Sequence, residues 1–493
     1  MGEFFDRIDE LCGNGKYPFH MPGHKRNALL YGRKPSSAGE AFFSEWYKRD
    51  ITEIPGSDDL HDPSGIILDA MKRAAALYGA DRSYFLINGS TSGNLVAVSA
   101  AIRAGGRILA MRSSHQSFYH AAMLRRLDVV YLAEETDEEM GTAYGIRAEA
   151  VERALNEYEG IEAVFITSPT YEGFSSEIAE IASLVHERGI PLIVDAAHGA
   201  HFGFSPYFPQ NAVEDGADIT VMSLHKTLPA PTQTAVLHFK SSLVSREKVE
   251  EFLQVYQSTS PSYILLAAMD DCIELTARIT ENTDRLRKTG NLWTLFYERR
   301  RDLSEYFERH PLENIRIYDH FSQKNMGEVT CIPEPGKMML VPADHVSGRR
   351  LSEYLSEECG LVAEMSVPEY VLFIFTVMDS AEGYERLKNA LIKADADSVK
   401  WKEAGERQIA GQSFLADFGR AAIPLWKAAE MKKRPVGYCE AEGLISGEMV
   451  TVYPPGRPLF LPGEIMTADK LSYLENAAKL GCGIRGKLSA IVE

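Results

Sequence analysis

The 493-residue chain has no run of about 18 consecutive apolar side chains, the least a membrane-spanning helix needs, so no such helix is expected. Its first residues, MGEFFDRIDE, are acidic and lack the apolar stretch of a signal peptide. Asp6 departs from the pattern that N-myristoylation requires after Gly2. The expected location is therefore the cytoplasm. Positive charge is in short supply, with 52 Lys and Arg against 70 Asp and Glu and a formal net charge of −18. A basic stripe for nucleic acid is not expected. An acidic field attracts small cations, but acidity also serves solubility alone. The six cysteines, Cys12, Cys272, Cys331, Cys359, Cys439 and Cys482, lie far apart without a C-x-x-C pair. That argues against a zinc ribbon or a thioredoxin-type site and for free thiols in a reducing compartment. His20 and His24 have the spacing of a helical metal pair, but Pro22 and Gly23 between them rule out the helix, and no metal site is expected. Internal repeats and low-complexity segments are absent.

At roughly 150 residues per domain, the length suggests about three domains. Residues 1–60, rich in turn formers, read as an irregular N-terminal arm with a short helix. Residues 61–280 alternate helical patterns (GIILDAMKRAAALYG, SGNLVAVSAAIRAG) with short runs that are apolar throughout (SYFLI, RILAM, EAVFIT, PLIV, DITVM). Such runs, separated by helices, predict a mainly parallel sheet covered on both faces, an α/β large domain. The stretch from Met269 to His310 reads as one long helix, leading into a smaller α+β domain at 281–398. In that domain GLVAEM and YVLFIFTV read as strands and SAEGYERLKNALIKA as a helix. A charged boundary near Asp395–Arg407 precedes a C-terminal α+β domain at 408–493. There YPPGRPLFLPGE is too proline-rich for helix or central strand and reads as a rigid loop rather than a proline-motif ligand.

Ligands of an open parallel sheet sit beyond the carboxyl ends of its strands, and five such ends carry polar groups. After SYFLI, the segment Asn88-Gly89-Ser90-Thr91-Ser92-Gly93-Asn94 opens a helix, where small residues, hydroxyls and free N–H groups can hold phosphate or simply cap the helix. Thr91 at the central position excludes a G-x-S-x-G nucleophile elbow, and no Lys follows to make a P-loop. After RILAM comes His115, placed to stack on an aromatic ligand or to sit in solvent. After EAVFIT comes the polar turn Ser168-Pro169-Thr170-Tyr171. After PLIV comes Asp195, a carboxylate that needs a cationic or N–H partner at the end of a buried strand. After DITVM comes Ser223-Leu224-His225-Lys226, whose lysine is a candidate amine nucleophile if burial lowers its pKa, or else a helix-cap lysine in solvent. Each signal is weak alone. Together they supply what pyridoxal 5'-phosphate (PLP) requires: a phosphate cradle, a ring stack, an acid at the ring nitrogen and an amine at the aldehyde.

The segments FHMPGHK (19–25), SDDLHDPSG (57–65), NGSTSGN (88–94), SPTYEG (168–173), VDAAHGAHFGF (194–204), SLHKTLPAPTQTA (223–235), TSPSY (259–263) and YPPGRPLFLPGE (453–464) make the chain resemble the Orn/Lys/Arg decarboxylases in their short, Gram-positive form. The resemblance runs through nearly the whole chain and is most specific where SLHKTLPAPTQ accompanies DAAHGAH. It implies the PLP-dependent aspartate-aminotransferase-type fold (fold type I), a homodimer or larger homo-oligomer with sites at the subunit interface, and PLP as cofactor. It matches Lys226 to the lysine that carries the cofactor, Asp195 to the partner of the ring nitrogen, and His115 to the stacking residue. Ser90, Thr91 and Ser223 match the phosphate contacts. His198 is expected to orient the acid or border the ring, and His225 to touch substrate or move protons. The chain departs from the family at Ser113 and Gln116, where Arg-Asn-x-His-Lys-Ser is common, at Ala196, where many members carry Glu, and at Arg457, where Ile is usual. These changes leave the groups that PLP chemistry needs and put substrate identity in question.

The implied reaction is loss of the α-carboxylate from arginine, lysine or ornithine, giving CO₂ and agmatine, cadaverine or putrescine, a step of polyamine synthesis. The substrate's distal cation needs an acidic partner, for which Glu53, Asp58, Asp59 and Glu364 are candidates, each also readable as a solvated carboxylate or a cap. The alternatives are another PLP-dependent lyase or aminotransferase on the same scaffold, or a catalytically silent PLP-binding regulator.

Overall fold

The computed structural model describes residues 3–13, 46, 48–132, 134–137, 140–281, 291–322, 333–401, 421–453, 458–479 and 482–492. His20, Pro22, Gly23, His24, Cys331 and Arg457 lie outside the described residues, as does the charged boundary beyond 401.

After helix α1 (Glu3–Gly13), the chain runs through α2 (Ile66–Tyr78), β1 (Arg82–Leu86), α3 (Gly89–Ala101), β2 (Arg107–Met111), α4 (Gln116–Leu124), β3 (Asp128–Leu132), β4 (Ile161–Thr167), β5 (Leu192–Asp195), β6 (Ile219–Ser223), α5 (Leu224–Thr227) and β7 (Ala235–Phe239). These seven strands form one sheet in the order β1-β7-β6-β5-β4-β2-β3. Strands β3, β2, β4, β5 and β6 pair in parallel, whereas β7 is antiparallel to both β6 and β1. Residues 224–234 account for the inversion: they are fewer than the dozen or so that a parallel crossover needs, so the chain returns beside β6 in the opposite sense.

Successive residues along a strand face opposite sides, and here both sides are core. Phe85, Leu109, Val164, Val194 and Met222 point into one apolar cluster with α2. Leu86, Ile108, Phe165, Ile193 and Val221 point into another with α3 and α4. Gly93 lets α3 lie close on this second face, because a Cβ there would fall 2.6 Å from Leu86 and from Val221.

Helix α6 (Tyr263–Thr280) is followed by α7 (Leu292–Arg309). The predicted single long helix is therefore two. Asn291 caps the second, its side chain accepting the Trp293 N–H at 2.9 Å, and an N-cap with Gly290 before it is a start signal that the hydrophobic period alone conceals. A four-stranded antiparallel sheet follows in the order β10-β11-β9-β8, from β8 (Ile315–Asp319), β9 (Lys337–Pro342), β10 (Met365–Ser366) and β11 (Val371–Ile374). Helices α8 (Gly348–Cys359) and α9 (Ala381–Ser398) accompany it. Only the end of GLVAEM is strand.

The C-terminal part pairs β12 (Lys433–Pro435) with β16 (Ser489–Ile491), and builds a small sheet from β13 (Val450–Tyr453), β14 (Pro458–Phe460) and β15 (Gly483–Arg485). Pro458 opens β14, an edge strand, where a missing N–H breaks no ladder. Helix α10 (Ala468–Lys479) completes a separate apolar cluster around Val450, Phe460 and Leu474. This part is tied to the large sheet by a buried ion pair: Arg112, just past β2, meets both Glu464 carboxylate oxygens at 3.1 Å and donates to the Pro458 carbonyl at 2.9 Å. Among the described residues, no helix is long and apolar enough to cross a membrane.

Candidate active site

The carboxyl ends of β1, β2, β4, β5 and β6 open on one cavity of about 400 Å³. It is lined by residues from all five ends, among them Ser90, Thr91, His115, Tyr171, Asp195, His198, His225 and Lys226. Other grooves exist, one of about 650 Å³ beside β8 and β9, but volume does not single out a site. Convergence of titratable groups on strand ends does.

Asp195 ends β5 and is 2% exposed. Its Oδ2 accepts from the Asn94 side-chain amide at 2.8 Å and its Oδ1 from the Ala197 N–H at 3.1 Å. Asn94 donates also to the Ser117 hydroxyl at 2.9 Å, which lies 2.9 Å from Nδ1 of His115. One buried network thus fixes the acid and the histidine expected to stack. His115 is the N-cap of α4, and burial lowers its pKa, with Asp195 opposing and Lys226 reinforcing.

Lys226 lies in α5, immediately beyond β6. Burial lowers its pKa, against the pull of Asp195 and Glu364, so it is not the solvent-exposed cap of the ordinary alternative. Its Nζ is 3.1 Å from Nε2 of His198 and 6.0 Å from the centre of the Tyr171 ring. Tyr171 also packs on His198, with ring centres 4.4 Å apart. The hydroxyls of Ser90 and Ser223 meet at 2.7 Å at the amino end of α3. Gly89 there adopts φ +74, a left-handed turn that favours glycine. The end of β1 is clamped beside it: the Ile87 N–H donates to Gln257 at 2.9 Å and the Ile87 carbonyl accepts from Gln233 at 2.7 Å.

Every expected site residue except Ser223 lines the cavity, and Ser223 joins it through Ser90. Of the two roles expected for His198, orienting the acid falls instead to Asn94, whose side chain donates to Asp195; His198 lines the cavity, and its hydrogen bonds run to Lys226 and Lys337. His225 anchors Nδ1 on the Thr234 carbonyl at 2.9 Å. Of the acids considered for a distal cation, Asp58 caps the start of α2, accepting from Ser64, Gly65 and Ile67 at 2.9 Å each. Asp59 accepts from the His61 N–H at 2.8 Å, and Glu53 accepts from Thr52. None of these three lines the cavity, whereas Glu364 reaches it through the Tyr171 hydroxyl at 2.5 Å. Tyr453, from β13 of the C-terminal part, lines the cavity and went unnoticed in the sequence, as did Gln233 and Lys337. Asn94 did leave a signal, a short polar amide inside a helix, where it competes with the backbone unless its side chain is engaged. Among the described residues, no group of three or more His, Cys, Asp or Glu side chains is arranged to hold a metal ion.

Comparison with known proteins matches this architecture to one family. The model described as "Orn/Lys/Arg decarboxylase, major domain" matches residues 3–383, and "Orn/Lys/Arg decarboxylase, C-terminal domain" matches 426–483. The chain is 30% identical over 469 residues to an arginine decarboxylase of Bacillus subtilis strain 168, covering 95% of this chain and 92% of the relative. It is 30% identical over 485 residues to an arginine decarboxylase of Bacillus anthracis, covering 98% and 94%. The constitutive lysine decarboxylase structure from E. coli superposes with a TM-score of 0.76 at 18% identity, over 100% of this chain and 82% of that one. That likeness is one of fold, and it bears out the α/β architecture expected from the sequence. Matched by a family model along most of its length and by relatives along nearly all of it, the chain belongs to the Orn/Lys/Arg decarboxylase family.

Proposed function

We propose that this protein binds PLP through Lys226 and decarboxylates a basic amino acid: arginine, lysine or ornithine. The observation that carries the reading is a desolvated lysine sharing one cavity with a buried, hydrogen-bonded carboxylate and with a pair of hydroxyls at a helix amino end. The donor set fits the cofactor part by part. Ser90, Thr91 and Ser223 would hold the phosphate with the amino end of α3, where free N–H groups and the helix dipole favour an anion. Asp195, with two donors already on it, would accept the N–H of the ring nitrogen. His115 would rest against the ring face. PLP, when bound, supplies an aldehyde for the amine and a protonated ring that takes up the electrons left behind by the departing carboxylate.

The chain's own groups do the rest. Asp195 keeps the ring nitrogen's proton in place through its negative charge. Burial lowers the pKa of Lys226 and so favours the amine form of Nζ over that of an ordinary lysine. Tyr171, Pro169 and Tyr453 wall the cavity against water. His225 or Lys226 returns a proton to Cα of the product. Glu364 is tied to the cavity wall through the Tyr171 hydroxyl, and a carboxylate there suits the substrate's distal cation. The reading carries the family's homodimer or larger homo-oligomer, a cytoplasmic location and a role in polyamine synthesis.

Incubation of the purified protein and PLP with arginine, lysine and ornithine in turn, with CO₂ and amine measured, tests the reading. Release of equal amounts of both from one substrate is expected. A keto acid without CO₂ would instead identify an aminotransferase.

A further inference from the structure

Lys337 opens β9 on the second sheet and is fully buried. An ammonium in such a place is costly unless it is paired. Its Nζ lies 3.2 Å from Nδ1 of His198, while Nε2 of the same ring lies 3.1 Å from Nζ of Lys226. A single imidazole therefore bridges two lysines, one in α5 just beyond β6 of the large sheet and one opening β9 of the second sheet. The passage is built for it: Gly173 sits at φ +97, and a Cβ there would fall 2.6 Å from Cγ of Lys337.

The hydrogen count of the bridge is restrictive. Burial, reinforced by both lysines, pushes the His198 pKa well below the ordinary histidine value, so the ring is neutral and carries one N–H. It donates at one nitrogen and accepts at the other. Two ammonium groups would both donate, setting N–H against N–H at one contact. Both contacts are hydrogen bonds only when at least one lysine is an amine, whose lone pair accepts the ring N–H, while the other donates to the second ring nitrogen. Burial, reinforced by Lys226, lowers the Lys337 pKa to about 8 against the pull of Glu334, Glu364 and Glu172, which still leaves it an ammonium at neutral pH. Glu334 would be raised by burial, but His201, Lys337 and the Gly336 N–H outweigh this and hold it ionised. Lys226 faces Asp195 and Glu364, and Asp195 is already engaged by Asn94 and Ala197.

We propose that Lys337, His198 and Lys226 form a relay that shares one excess proton, stored on Lys337 while Lys226 is a free amine. When Lys226 must be protonated, Nζ of Lys337 gives its proton to Nδ1 of His198 as Nε2 releases its own to Nζ of Lys226. Only N–H bonds change, the charge of the trio stays at one, and the reverse shift restores the amine. Lys337 is not among the residues lining the cavity, so it is a positioning residue that acts through His198. The inference rests on the reading of Lys226 as the reacting amine, but the relay can be measured without cofactor.

The test is reductive methylation of the full-length, cofactor-free chain with formaldehyde and cyanoborohydride across a pH series, with label on Lys226 read by mass spectrometry. The wild-type midpoint is expected below the ordinary lysine value of about 10.4. Lys337→Met should raise it by about one pH unit, and Lys337→Arg should restore it, since a guanidinium keeps the charge. A guanidinium does not give up its proton, so the arginine variant, loaded with PLP, should lose about tenfold in kcat at unchanged KM. A folded Lys337→Met protein with the wild-type midpoint overturns the relay. Should Lys337→Met fail to fold, the arginine variant decides alone: wild-type kcat contradicts the relay, and slowed turnover at the wild-type midpoint supports it. Borohydride trapping of PLP on Lys226 in the same variants is a separate readout, so the relay can fail while the cofactor reading stands.

Discussion

Asp195 and Lys226 divide the proposed chemistry between a fixed charge and a mobile proton, and each makes a distinct prediction. Asp195→Asn keeps the shape and the contact with Ala197 but removes the charge that holds a proton on the ring nitrogen. Turnover should fall by about 100-fold or more, on the scale of losing one preorganised electrostatic partner, while PLP still attaches to Lys226; near-normal rates in a steady-state assay would contradict the role. Asn94→Ala removes a hydrogen bond to a buried carboxylate, a contact worth about 1.5–3 kcal/mol. It should lower the melting temperature by a few degrees and kcat by roughly ten- to a hundredfold; a variant equal to wild type would return Asp195's orientation to the backbone alone. At this scale the sequence was informative where chemistry needs a rare residue at a strand end, as for Asp195 and Lys226. It was silent where a residue acts by reaching in from a distant segment. Lys337 opens an apolar strand some 110 positions beyond Lys226, and nothing local marks its ammonium as bound for His198. The expectation that His198 could orient Asp195 fails for the same cause: Asp195 is near it in sequence, but its hydrogen-bond partners in space are lysines.

Among the elements, α3 does the most positioning, because it carries Ser90, Thr91 and Asn94 and lies tight against β1 and β6. Gly93→Ala would drive a methyl to within 2.6 Å of Leu86 and Val221, and overpacking of this kind costs about 1–3 kcal/mol. The variant should melt at a lower temperature and hold PLP more weakly, since the displaced helix takes the phosphate contacts with it. A drop in stability with unchanged PLP affinity would separate the helix from the site. Strands that are apolar throughout and followed by helices were legible, since burial on both faces leaves continuous apolar runs. Strands β3 and β7 were not singled out. β3 is an edge strand with a partly exposed pattern, and β7 follows so closely on α5 that it does not fit the βαβ rhythm. In the second sheet, β8 and β9 were not singled out either: β8 is only five residues long, and β9 opens on a lysine and ends on a proline, which read as a boundary.

At the scale of the whole molecule, the C-terminal part is joined to the site by Arg112 and Glu464 and contributes Tyr453 to the cavity. Removing one partner of a buried pair leaves an uncompensated charge, at a cost of about 3–5 kcal/mol. Arg112→Met should therefore expose the segment after residue 421 to limited proteolysis well before the large sheet unfolds. Coincident cleavage would show that the two parts unfold as one. Acid should also weaken the fold. His238 is buried beside Ser83, and burial pushes its pKa down to about 3. Its folded value lies below its unfolded value of about 6.5, so the unfolded chain binds the extra proton and stability falls as pH drops through that window. The loss is about 1.4 kcal/mol per pH unit for this one group. His238→Gln should flatten the dependence of urea midpoints on pH between about 7 and 5. The account's central claim concerns a single atom, Nζ of residue 226. Borohydride reduction of the protein after exposure to PLP, followed by peptide mapping, should place one phosphopyridoxyl group on Lys226 and none on Lys226→Ala. Label on another lysine, or no label at all, would contradict it.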